Sequence, residues 1–448
     1  MQGVRGLVGG RLAKLAAYGL LGVAGCLGSA AQATEGYFQY GYGARQGALG
    51  GAGVADSRDA MSLTLNPAGL VDVGRELQVG ASLFVPLRGY DVTGPGFVAP
   101  GLTSGSVDSN NNYFVVPNVA YSSPIDAQSA WGVAMYGNGG MNTTYPGVAN
   151  SSCPPGFFGV YCGGNAGVDL SQMFISAGYS RSVGAFSFGI APTIAIQWFK
   201  ANGLGLFGLF GLSSDPANLS DRGYSYSYGG GLRAGIEFKA TDRIRLGLSA
   251  QTPMWMTKFS KYSGLFAGQG SFDIPAAVTA GIAVDVMPNL TLMFDWRHIF
   301  YSSVAAVGDA SGPILPGSLG TNGGPGFGWR DVDAFKVGAE WRANPAWTFR
   351  LGYAHNNNPI GSSDVTINIL APGVVTDHIT GGFEYKMTPN SSIEFAAAVI
   401  PSHSVSGIEV TPLGPNPFRT VTLSMNQYQF TLGYTYHFGQ PAPLVRKY

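Results

Sequence analysis

The sequence predicts an all-β protein: a transmembrane antiparallel β-barrel of about fourteen strands, with an irregular N-terminal segment placed inside it. Three observations carry this prediction. Charge is sparse, at 11% of 448 residues against about 25% in soluble proteins, while glycine (68) and aromatics (12%) are abundant. From Arg75 onward, about fourteen segments alternate apolar and polar side chains with period 2, the signature of strands. The connections between these segments alternate short and long along the chain, as periplasmic turns and external loops do in outer-membrane barrels. After residue 33 no stretch approaches the ~18 apolar residues of a membrane-spanning helix.

Residues 1–33 read as an export segment. Arg5, Arg11 and Lys14 are its positive end, Leu15 to Leu27 its apolar core, and Ala31-Gln32-Ala33 its cleavage site. Val23-Ala24-Gly25-Cys26 is a competing lipoprotein-type box. Residues 34–73 follow neither helical nor strand periodicity. They open on Tyr37 and Phe38, run through Gly50, Gly51 and Gly53, and close on Asn66-Pro67. Irregular backbone at membrane depth is tolerable only inside protein or a wet cavity. The segment is therefore expected within the barrel, which spans 74–438, with a short tail at 439–448.

The strand reading rests on segments such as Tyr428 to Phe438. Tyr428, Phe430, Leu432, Tyr434 and Tyr436 fall on one face, and Gln429, Thr431, Gly433, Thr435 and His437 on the other. The polar face is poor in charge and rich in Gly, Ser and Thr, which suits a lumen surrounded by lipid. Short turns are read at Ser122–Ala130, Ser182–Ala185, Ala240–Arg243, Met287–Asn289, Ala343–Ala346 and Thr388–Ser391. Long loops are read at 90–111, 138–168, 201–223, 258–271, 302–330, 355–377 and 402–423. In the third strand, Gly137, Gly139 and Gly140 interrupt the alternation, which marks either a kink or the end of the strand.

Cys153 and Cys162 lie in a Ser/Pro/Gly-rich loop, and a disulfide there suits an oxidising compartment. The loop 201–223 carries Leu204, Leu206, Phe207, Leu209, Phe210 and Leu212 spaced by glycines. Bare apolar surface on a water-facing loop marks an interaction site or packing against another loop. Charged residues on inward faces, among them Arg233, Arg243, Arg245, Asp295, Arg297, Lys336, Glu340, Arg350 and Glu394, form either a bracing network or a head-group site. Arg233, Arg297 and Arg350 are the candidates for binding an anionic head, because the guanidinium fork grips a carboxylate at two points.

Catalytic patterns are missing. The five histidines are scattered without metal-ligand spacing, and no G-x-S-x-G, P-loop or H-E-x-x-H occurs. Neither a metal nor a cofactor is expected. The formal net charge is zero, so nucleic acid is not an expected partner.

The chain resembles the FadL/TodX family of outer-membrane transporters for hydrophobic compounds. The likeness rests on Gly36-Tyr37-Phe38, the Gly47–Gly53 run, Asp56 and Asn66-Pro67-Ala68. It extends to Trp329–Ala339, Thr348-Phe349-Arg350-Leu351-Gly352, Asn358-Pro359-Ile360 and Tyr385–Asn390. The resemblance implies a fourteen-stranded barrel in the bacterial outer membrane, with residues 34–73 as a hatch plugging the lumen. It implies capture of an apolar ligand in a loop groove supplied by 201–223, passage to a site near the hatch, and lateral exit at a kink over Gly137–Gly140. Long-chain fatty acids are the expected cargo, and aromatic or other hydrocarbons the alternative. A barrel lipid hydrolase or a structural barrel is the reading of another class. Expected partners are the hydrophobic ligand, membrane lipid and lipopolysaccharide, with the barrel acting as a monomer.

Overall fold

The computed structural model describes residues 34–95, 101–412 and 414–439. The export segment expected at 1–33, with Cys26, lies outside them, as does the expected tail beyond Gly439.

Fourteen strands follow one another around a barrel, each antiparallel to its neighbours. They are β1 (Glu76–Thr93), β2 (Phe114–Pro124), β3 (Ser129–Asn142), β4 (Gly167–Val183), β5 (Phe186–Asn202), β6 (Ser225–Lys239) and β7 (Ile244–Gln251). The series continues with β8 (Ala277–Met287), β9 (Leu290–Ile299), β10 (Val332–Arg342), β11 (Trp347–Asn356), β12 (Asp377–Thr388), β13 (Ser391–Thr411) and β14 (Gly414–His437). The last strand pairs with the first, from Glu76↔His437 to Thr93↔Thr420, so the sheet closes and leaves no edge. Two short segments, Gly105–Asp108 and Trp255–Met256, add to β1 and β6 without entering the ring.

Burial is inverted relative to a soluble protein. On β14, Leu432 is 65% exposed, whereas the neighbouring inward Gln427, Gln429, Thr431 and Thr435 are buried. Phe188 on β5, Phe335 on β10 and Leu351 on β11 are likewise outward and exposed. Hydrocarbon is the outer solvent, so apolar side chains face it while polar ones meet partners inside.

Two details differ from expectation. The loop expected at 402–423 is largely a long hairpin, because β13 and β14 pair out to Thr411↔Gly414. Alternating Ser, Thr and aliphatic residues carry both strands on, and the prolines flank the turn. Arg243 is exposed in the β6–β7 turn rather than within the lumen.

Residues 34–73 fill the barrel interior, buried except at Gly43, Arg58 and 71–73, which are half-buried. They form a short helix α1 (Gly43–Ala48) and two 3₁₀ turns, Ala60–Thr64 and Pro67–Asp72. Asp59 caps the first turn by accepting from the Ser62 N–H. Asn66 caps the second, with Pro67 at its first position, where a missing N–H costs nothing.

Candidate functional site

The N-terminal segment is attached to the wall by polar contacts that its own sequence supplies. Gly51 has φ +81°, and a Cβ there would meet the Tyr40 carbonyl oxygen at 1.8 Å, so only glycine fits. The chain then presents the Gly53 and Val54 N–H groups to Asp295 Oδ2 on β9, at 2.8 and 2.9 Å. Gly50 rests against the Tyr353 backbone of β11. Asn66 donates to the Val54 carbonyl and, at 3.2 Å, to the Ile236 carbonyl of β6. Asn66-Pro67 therefore ties the segment to the wall.

The charged residues form a network that spans segment and wall. Asp56 accepts from Arg45 (2.6 Å), Arg58 (2.7 Å) and Arg245 of β7 (2.8 Å). Burial works to raise the Asp56 carboxyl, but these three guanidiniums override it and hold it well below the usual carboxylate range. Glu340 of β10 accepts from Arg45 and Arg350, at 2.9 and 3.0 Å. Lys336 and Arg297 both reach Glu35, at 2.7 and 3.0 Å. The inward placement of the wall charges was legible in the alternation. Glu35, Arg45, Asp56 and Arg58 were missed as partners, although Asp56 stands in the segment that carries the resemblance.

This network sorts the three arginine candidates. Arg350 already meets Glu340, Glu384 and Glu394. Arg297 holds Glu35 and the Gln39 carbonyl, beneath the Phe38 ring. Arg233 is buried, donating to the Gln251 side chain and more weakly to the Leu65 carbonyl, and makes no ion pair among the described residues.

At Gly137–Gly140 the third strand bends instead of ending. The register with β4 slips between Gly137 and Gly139, leaving Asn138 as a bulge. Pairing of β3 with β2 stops at Asn118↔Tyr136, so Phe114–Pro117 of β2 and Gly139–Asn142 of β3 part company. The N-terminal segment occupies the bend from inside. Phe38 bridges Gly139, the Gln39 N–H donates to the Asn138 carbonyl (3.1 Å), and the Gly140 N–H donates to the Tyr37 carbonyl (3.0 Å). Above this point Tyr37, Phe38, Tyr301 and Trp329 pack ring against ring, with centroids 5.0–5.8 Å apart.

The loops form an apolar groove that is half-open to solvent. Leu206, Phe207 and Phe210 line it, opposite Leu102, Tyr161 and Ile367. The other members of the 201–223 run behave differently. Leu204 and Leu212 are buried in packing, and Leu209 is 71% exposed at the tip. The Cys153 and Cys162 sulfurs are joined, and Cys162 borders the groove. Its charged liner, Glu409, is held by the Leu102 N–H, Arg419 and Asn416.

The histidines stay dispersed. His298 and His355 face Asp333 and Asp377 near the loop ends of β9 and β11, while His437 faces Glu76 at the opposite end of the barrel. Among the described residues no group of three metal-ligating side chains converges.

Comparison with known proteins places this architecture. Residues 23–438 match the family described as outer membrane protein transport protein (OMPP1/FadL/TodX). Over 336 residues the chain is 24% identical to the long-chain fatty acid transport protein of Salmonella typhi, covering 68% of this chain and 73% of that one. The fold is shared with the crystal structure of a Pseudomonas aeruginosa FadL homologue (TM-score 0.66, 17% identity, 90% of this chain and 100% of that one). It is shared too with the Pseudomonas putida toluene transporter TodX (TM-score 0.63, 17% identity, the same coverage). A closed fourteen-stranded barrel and a match across nearly the whole chain lead to one conclusion: the protein belongs to the OMPP1/FadL/TodX family of outer-membrane transport proteins.

Proposed function

We propose that the barrel carries long-chain fatty acids or similar hydrophobic compounds across the outer membrane by passive diffusion. The observation that carries this reading is the half-open apolar loop groove with its Leu206, Phe207 and Phe210 wall. An apolar trough facing water is unfavourable when empty and is stabilised by burying an apolar chain. The polar surface of the membrane obstructs such molecules, and a water-filled pore would not select them. In this proposal residues 34–73 act as a hatch. Ligand moves from the groove towards the aromatic cluster at Tyr37 and Trp329, shifts the Tyr37–Gln39 bridge, and leaves sideways where β2 and β3 diverge. Gly137, Gly139 and Gly140 form that opening.

Uptake of labelled oleate by cells lacking their own transporter tests the proposal. Expression of this chain should restore uptake, and Phe207→Asp should abolish most of it while surface expression holds. Uptake equal in both strains would defeat the groove reading. A second reading, neutral hydrocarbon as cargo, is favoured by the saturation of Arg297 and Arg350 with carboxylates. Mass spectrometry of molecules copurifying with the barrel separates the two. Release of free acid from phospholipid by the purified protein would point instead to a hydrolase.

A further inference from the structure

Arg88 is a buried cation with no place in the route described so far. It points inward from β1, 5% exposed. With Phe84, Phe114, Met141, Trp329 and Met425 it lines a separate, half-open pocket. Its guanidinium is held by uncharged acceptors: Nε donates to the Asn142 carbonyl, Nη1 to the Pro86 carbonyl (2.8 Å), and Nη2 to the Asn111 carbonyl (2.7 Å) and Asn142 Oδ1 (3.1 Å). The Phe114 ring lies 5.6 Å from the guanidinium carbon. Among the described residues it makes no ion pair, whereas Arg45, Arg58, Arg245, Arg297, Arg350 and Arg419 each meet a carboxylate.

A cation removed from water is costly until a counter-charge reaches it. Here the surroundings are an apolar pocket, and the pocket lies where the barrel wall divides. Phe114 begins β2, on the stretch that no longer pairs with β3, and Met141 and Asn142 are on the diverging stretch of β3. The loop groove, by contrast, offers Glu409 and no cation. The groove suits an apolar tail, and the pocket at the divide suits a tail that ends in a negative charge.

We propose that Arg88 binds the carboxylate of an amphipathic acid whose apolar part lies along this half-open pocket beside the β2–β3 divide. The uncharged acceptors take four of the five guanidinium N–H groups, which leaves one Nη1 N–H for a carboxylate oxygen, and the Phe114 face tolerates the resulting pair. The inference rests on the reading of the barrel as a hydrophobic-compound channel, and it deepens that reading by naming an anionic head.

Binding of oleate and of octadecene, the same chain without its carboxylate, to the purified full-length barrel tests it. Arg88→Gln should weaken oleate by about tenfold or more while leaving octadecene within about twofold. Arg181→Gln, at an exposed arginine near the end of β4 that does not line the pocket, should change neither. Unchanged oleate binding in Arg88→Gln overturns the proposal. An equal loss of both probes overturns it too, since Arg88 would then only brace Asn111 and Asn142. If the wild-type barrel binds neither probe, the channel reading itself fails, and with it this inference. Should Arg88→Gln not fold, the wild-type protein still decides the matter. Methyl oleate should bind like octadecene, and methyl oleate binding as tightly as oleate refutes the site.

Discussion

Asp56→Ala should release the N-terminal segment from the barrel wall. The carboxylate sits among three guanidiniums at 2.6–2.8 Å, two from the segment and one from β7. Removing one partner of a buried pair costs about 3–5 kcal/mol. Some of that is recovered here, because Arg45 and Arg58 keep Glu340, and Arg245 keeps Asp285. The lower end therefore applies, about 3 kcal/mol, or roughly a hundredfold in the docked population at about 1.4 kcal/mol per decade. Hydrogen exchange reads this directly. Amides of α1 and the two 3₁₀ turns should lose protection by that factor, while β13 and β14 keep theirs. Planar-bilayer conductance should rise towards that of a chain lacking residues 34–73. Asp215→Ala, at a loop carboxylate outside the lumen, serves as the control. Wild-type protection across 43–72 in Asp56→Ala would refute the view that this network fastens the segment.

Two further outcomes follow from the same contacts. The Asp56 carboxyl titrates below its ordinary value of 3.8 when the segment is docked. Its contribution is therefore complete above that value and is lost only as the pH falls through the depressed range. Conductance should stay flat from about pH 8 to about pH 5 and rise in stronger acid; a rise near neutrality would assign the effect to another group. Gly139→Val places a Cβ 1.7 Å from the Tyr37 carbonyl oxygen. The Gly140–Tyr37 and Gln39–Asn138 hydrogen bonds should break, weakening closure of the bend by about 1–3 kcal/mol. Faster exchange at Tyr37–Gln39, with barrel strands unaffected, is the expected result, and unchanged exchange there would refute it.

The barrel was readable from residue order alone, because a membrane imposes a rule on each strand separately. Lipid outside and a polar lumen inside force alternation, so Tyr428 to His437 declare their faces without reference to any other strand. Turn and loop lengths then give strand number and direction. Legibility failed where the rule weakens. At 402–423 the strands rise into the loops, prolines flank the turn, and the apparent loop is a hairpin. At Gly137–Gly140 the side chains carry no pattern, and kink and termination looked alike. Arg88 escaped notice for a related reason: Pro86 and Gly89 flank it, close to a presumed loop.

Sequence by itself determined the class of protein, the inward and outward faces, and the irregular character of residues 34–73. Tertiary structure decided which charges meet. Arg297 and Glu35 are far apart in the chain, as are Arg245 and Asp56, and nothing local distinguishes them from a free arginine. Only barrel closure brings them together, which saturates Arg297 and Arg350 and leaves Arg88 facing a pocket without a counter-charge. The physical reason lies in reach. Alternation is enforced residue by residue by the solvent outside, whereas the partner of a buried charge is fixed by the packing of segments that the sequence keeps distant.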